Sequence, residues 1–239
     1  MHSGAWRVGN LDMDDYFLRI LAVELQVVVV NVDYRLAPEY RLPACLDDSY
    51  TGLKWAAINA SRLCASLSKG FIVGGQSAGG NLAVVITHRA RDDPFFADTP
   101  LTGSLFSIAS VVHPDAVPEL YKPELLSVEQ YRDGPVLTKE AILKSYEDLT
   151  VEPMNPEISP LLYPSHKDLP PAYIQVCGLD PRRDESFLYE RLLREAGAKF
   201  KIDVYPGVPH GSHALFPSLK QTSKEDLKKR LAWLLRGGR

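Results

Sequence analysis

Gly70-Phe71-Ile72-Val73-Gly74-Gly75-Gln76-Ser77-Ala78-Gly79 decides how the rest of the chain is read. Residues 70–74 form a short apolar strand. Gly75-Gln76-Ser77-Ala78-Gly79 follows at once, and a helix rich in small residues runs on to about residue 91. A serine on a tight strand-to-helix turn has its hydroxyl pushed out where it can act as a nucleophile. Glycines flank it because such a turn is strained and closely packed. The five-residue pattern alone is weak; the strand before it and the helix after it give it weight.

A nucleophilic serine needs a base, and the base needs an orienting carboxylate. On this kind of turn the partners are expected in the order Ser, Asp or Glu, His. Asp180 follows a strand at residues 172–176, in Cys177-Gly178-Leu179-Asp180. His210 follows a strand at residues 200–205, in Pro206-Gly207-Val208-Pro209-His210-Gly211. Both stand at carboxyl ends of strands, where open α/β sheets gather their sites. Asp184 competes with Asp180 but reads as a helix N-cap. His213 competes with His210 but fits the loop less well. His88 sits within a helix as a surface or packing residue, His113 at a strand end could line a pocket, and His166 reads as an exposed loop residue. No histidine pair has zinc-hydrolase spacing, so no metal and no cofactor is expected.

Outward from this centre the elements alternate. Residues 11–25 have helical spacing of Leu18, Leu21, Ala22 and Leu25, with Asp12, Asp14 and Asp15 at the favourable end of the dipole. Residues 26–32 are a continuous β-branched run, the pattern of a strand buried on both faces of a parallel sheet. A helix is expected at 45–64 and a strand at 101–112. Further helices are expected at 184–196, closed by Gly197, and at 220–236. Residues 113–170 are rich in proline and hold one helix at about 138–149. They read as a cap-like insertion over a site within a single domain spanning 1–239. The order predicts an α/β fold with a mainly parallel sheet flanked by helices.

The chain has 239 residues, 45 % hydrophobic and 24 % charged, which is ordinary for a globular protein. A net charge of −3 leaves no electrostatic footprint for nucleic acid. The longest aliphatic run is too short to span a bilayer, so no stable membrane insertion is expected. Cys45, Cys64 and Cys177 match no zinc or redox spacing and read as thiols in a reducing compartment, which suggests the cytoplasm.

Five stretches in order carry a family resemblance: His2–Trp6, DYRLAPE at 33–39, GQSAGGNL at 75–82, DPRRDE at 180–185 and YPGVPHG at 205–211. Together they resemble the hormone-sensitive-lipase-like branch of the α/β-hydrolase fold, nearly from end to end. The resemblance implies a serine carboxylesterase acting on small to medium esters, with Ser77, Asp180 and His210 as its triad. It implies backbone oxyanion donors at Gly4, Ala5 and Ala78, and small-molecule esters of secondary or xenobiotic metabolism as substrates. The first loop reads His2-Ser3-Gly4-Ala5-Trp6 where the family has HGGG; backbone amides do the work, so the donors survive the change. The resemblance also implies early strands and a helical lid ahead of this loop, which are not in the sequence. Their loss would open a gap in the sheet between residues 26–32 and 70–74. Two alternatives follow: a non-catalytic binding protein on a shortened scaffold, or an inactive product of an incomplete gene.

Overall fold

The computed structural model describes residues 1–212 and 217–239. Helix α1 (Asp12–Leu25) carries its three aspartates in the first turn and stops where Gln26 turns left-handed at φ 53°. Helix α2 (Ala44–Ile58) ends before the expected residue 64. Then come strand β1 (Ile72–Gln76), helix α3 (Ala78–Asp92) and strand β2 (Gly103–Ser107). Short α4 (Ser127–Gln130) and longer α5 (Lys139–Leu149) lie in the proline-rich stretch. The Thr138 hydroxyl accepts from the Ala141 N–H and caps α5. Strand β3 (Ala172–Cys177), helix α6 (Arg183–Glu195), strand β4 (Phe200–Tyr205) and helix α7 (Pro217–Leu235) complete the order.

The four strands are parallel in the order β1-β2-β3-β4. Successive side chains of a strand point to opposite faces, and the core divides accordingly. Val73, Phe106, Ile174 and Val176 join Leu82, Val85, Leu188 and Leu193 of α3 and α6 in one cluster. Ile72, Leu105 and Tyr173 join Leu21 of α1 and Leu227, Trp233 and Leu234 of α7 in the other. Helices thus cover both faces, which is why β3 is buried along its whole length.

The strand expected at residues 26–32 does not form. Those residues run without secondary structure, and Val28 and Val29 are exposed. A cavity of ≈ 780 Å³ is bordered by residues 27–32 and by β1. A strand exists only if a neighbour satisfies its backbone groups, and among the described residues the β-branched run has none across this gap. The strand expected at 101–112 is also shorter, because the chain leaves the sheet at Ile108, whose φ is 43°.

Two residue-level expectations change as well, those for His166 and Asp184, and Arg35 takes its partner from α2. Its Nε and Nη2 donate to the Asp48 carboxylate at 2.8 Å each, a bidentate fit that α2 presents and Glu39, exposed on its own turn, does not. His166 is buried, its Nδ1 3.4 Å from Nε2 of a fully buried His88. Asp184 is not an N-cap: Arg182 holds that position, and the Asp184 carboxylate accepts from the Leu126 and Ser127 N–H groups.

Candidate active site

Ser77, Asp180 and His210 lie at the carboxyl edge of the sheet. Ser77 follows β1 with φ 53° and ψ −116°, a conformation a non-glycine residue holds only when its surroundings impose it. They do: the Ser77 N–H donates to the Ser107 carbonyl at the end of β2, 2.9 Å away. On the other side, a Cβ at Gly79 would lie 2.3 Å from the Met1 carbonyl oxygen and 2.4 Å from that of His2. The first loop is therefore packed directly on the start of α3.

Asp180 lies three residues past β3 and is 1 % exposed. His210 lies five residues past β4 and is 7 % exposed. His210 Nδ1 is 2.7 Å from Asp180 Oδ2, and His210 Nε2 is 2.9 Å from Ser77 Oγ. A carboxylate only accepts, so the imidazole proton belongs on Nδ1. Nε2 is then left with a lone pair facing the serine hydroxyl. The second Asp180 oxygen accepts from the Arg182 N–H at 2.8 Å. His213 lies outside the described residues.

The first loop is braced from beneath. His2 is fully buried and stacks on Tyr34 with ring centroids 4.2 Å apart, and the Tyr34 hydroxyl donates to the His2 carbonyl. The Ala37 N–H donates to the Trp6 carbonyl at 2.8 Å. The DYRLAPE turn is thus the support of this loop. Gly4 has φ 119°, and a Cβ there would sit 1.9 Å from the Val8 carbonyl oxygen. Ala5 takes φ 53° without being glycine. Among the described residues, no group accepts from the backbone N–H of Gly4, Ala5 or Ala78.

Several residues that the motifs contained but did not explain prove structural to the site. Asn81, fully buried, donates through its amide to the carbonyls of Ser110 and Ile158 and so ties α3 to the proline-rich stretch. His113, a pocket candidate, is buried against Tyr146 of α5, with ring centroids 4.3 Å apart. Arg182 and Glu185 form a buried ion pair next to Asp180. An arginine and a glutamate three apart at a helix start were the available signal, since both reach the same side.

A parallel sheet covered by helices, with a serine, a histidine and an aspartate hydrogen-bonded in series at its carboxyl edge, is the architecture of serine hydrolases. A sequence model described as an alpha/beta hydrolase fold matches residues 1–214, and the chain belongs to the hormone-sensitive-lipase-like carboxylesterase branch of that fold. It is 38 % identical over 238 residues to a versiconal hemiacetal acetate esterase of Dothistroma septosporum, covering 98 % of this chain and 72 % of that one. It is also 38 % identical to an AB hydrolase superfamily protein of Schizosaccharomyces pombe, across 98 % of this chain and 69 % of the other. Among solved structures, vibralactone cyclase superposes with a TM-score of 0.97 at 48 % identity, covering 99 % of this chain and 70 % of that one. A Pyrobaculum calidifontis esterase superposes at 0.82 with 31 % identity, covering 98 % and 74 %.

Proposed function

We propose that this chain hydrolyses small to medium carboxylic esters by two-step acyl transfer on Ser77. The observation that carries the reading is the continuous hydrogen-bond series from Ser77 Oγ through His210 to Asp180. Ser77 Oγ attacks the ester carbonyl carbon while His210 Nε2 takes its proton. Asp180 keeps the imidazole in the required tautomer and stabilises the imidazolium. The N–H groups of Gly4, Ala5 and Ala78 receive the carbonyl oxygen as it gains charge. The intermediate collapses, and the alkoxide leaves with the proton from His210. Water then attacks the acyl carbon, gives its proton to His210, and the acid departs as Ser77 regains its own.

The Dothistroma relative acts on an acetate ester, which supports a short acyl group here. Residues 113–170 form the cover of the substrate side within a single domain. A reducing, cytoplasmic setting fits three unpaired cysteines. The test is hydrolysis of p-nitrophenyl butyrate by the parent and by Ser77→Ala. Turnover abolished by the substitution is the expected result. A folded parent protein with no Ser77-dependent turnover would leave a binding role in its place.

A second reading is favoured by the 48 % identity to vibralactone cyclase. If a hydroxyl of the acyl group itself attacks the acyl-enzyme, the product is a lactone in place of an acid. Product analysis with a hydroxyacyl ester separates the two outcomes.

A further inference from the structure

The Asp180 carboxylate is set by two bonds, one to His210 and one from the Arg182 N–H. The second depends on where the turn at 180–183 sits. The Arg182 side chain points inward, and Arg182 and Glu185 are each 5 % exposed as a pair. Arg182 Nη1 donates to Glu185 Oε1 at 2.7 Å, and Nη2 donates to the Tyr146 hydroxyl of α5 at 3.2 Å. The other Glu185 oxygen accepts from the N–H groups of Val111 and Val112, at 2.7 and 3.0 Å. Tyr146 in turn meets Ser110 Oγ by hydrogen bond, and its ring lies 5.4 Å from that of Trp6 in the first loop.

Burying two charges costs desolvation that their attraction offsets only with good geometry, and apolar residues of similar size would often serve stability as well. Burial accordingly pushes the Glu185 carboxyl up against the pull of Arg182 and the two amides. What an apolar pair could not do is hold the turn at 180–183 in one register against residues 110–112. We propose that the Arg182–Glu185 pair, braced by Tyr146, is a positioning clamp that orients Asp180 and through it the aim of His210 at Ser77. The clamp joins the acid's turn, the chain leaving β2, and α5, so the proline-rich cover and the hydrogen-bond series share one anchor. The proposal rests on the serine-hydrolase reading above.

Glu185→Gln tests it, because the replacement keeps the size and one acceptor but removes the ion pair. At a temperature where circular dichroism shows both proteins folded, kcat for p-nitrophenyl butyrate is expected to fall about 10- to 100-fold, the scale of a misplaced catalytic group. KM should stay within about threefold, since the loss falls on the transition state. The deshielded Nδ1 proton of His210 should move or broaden in the proton NMR spectrum. Tyr146→Phe should change both in the same direction by less, and it carries the same criterion if Glu185→Gln does not fold. Asp203→Asn breaks a different ion pair, with Arg230 on α7. It should lower thermal stability while leaving kcat and the resonance alone. A folded Glu185→Gln protein with parental kcat and an unmoved resonance overturns the clamp. Turnover that survives Ser77→Ala overturns acyl transfer on Ser77 instead, so the two failures are distinguishable.

Discussion

In the proposed mechanism Asp180 acts through both carboxylate oxygens, and exchanging either for an amide changes the chemistry of its neighbour. In Asp180→Asn the side chain can offer an N–H to His210 Nδ1, which forces the imidazole proton onto Nε2. The lone pair facing Ser77 Oγ is then lost. A drop in kcat of about 10⁴-fold is expected with the fold intact, the size seen when the equivalent change is made in another serine hydrolase. Steady-state kinetics with a circular dichroism control measures it; a loss below tenfold would mean Asp180 does not set the tautomer. At this scale the sequence was highly legible. Ser77, Asp180 and His210 each stand just past a short apolar strand, and strand ends on one edge of a parallel sheet converge. Arg182, Glu185 and Tyr146 were not legible as partners. Tyr146 is 36 residues from Arg182 along the chain and meets it only because α5 folds back over the edge of the sheet.

The contact between the first loop and α3 is a matter of elements, because backbone meets backbone there. A side chain at position 79 would run into the carbonyls of Met1 and His2. Gly79→Ala is expected to push the loop away from the start of α3 and carry the Gly4 and Ala5 amides with it. Loss of oxyanion donors costs about 10²–10³ in kcat. A Gly→Ala change at Gly197, where an added Cβ meets nothing within 4 Å but φ of 78° strains an alanine, should lower stability and leave kcat unaltered. Equal activity of both variants would separate the loop from catalysis. The same scale explains the misread strand. Residues 26–32 have the composition of a buried strand, but composition reports only what a segment prefers when a partner is present. Beside a cavity of ≈ 780 Å³ no described residue pairs with the run, and tertiary context overrides the preference.

Stability against pH belongs to the whole molecule. His88 is buried between α3 and the stretch that carries Tyr163 and His166, stacked on the Tyr163 ring at 3.9 Å. Burial, with the His166 charge beside it, lowers its pKa to about 3. Burial also lowers those of His166 and His113. The unfolded chain takes up these protons near pH 6.5, so below that it holds more protons than the native state. The contribution of these histidines to stability is therefore full above about pH 6.5 and is lost as pH falls towards 3, by about 1.4 kcal/mol per pH unit for each proton of difference. Denaturant titrations between pH 6 and 5 should show this slope. In His88→Phe, which keeps a ring against Tyr163, the slope should flatten by about one proton's worth. An unchanged slope would assign the effect elsewhere.

By itself the sequence determined the α/β class and the order of the candidate residues along the chain: a strained serine turn, an aspartate and a histidine after later strands, and alternating strands and helices. Those are local properties, written in turn residues and in hydrophobic period. The tertiary structure alone decided which apolar runs become strands, where Arg35, Asp184 and His166 find their partners, and how Arg182, Glu185 and Tyr146 meet behind Asp180. Such contacts join residues tens of positions apart. They depend on which neighbour is present and how closely it packs, and no single segment records that.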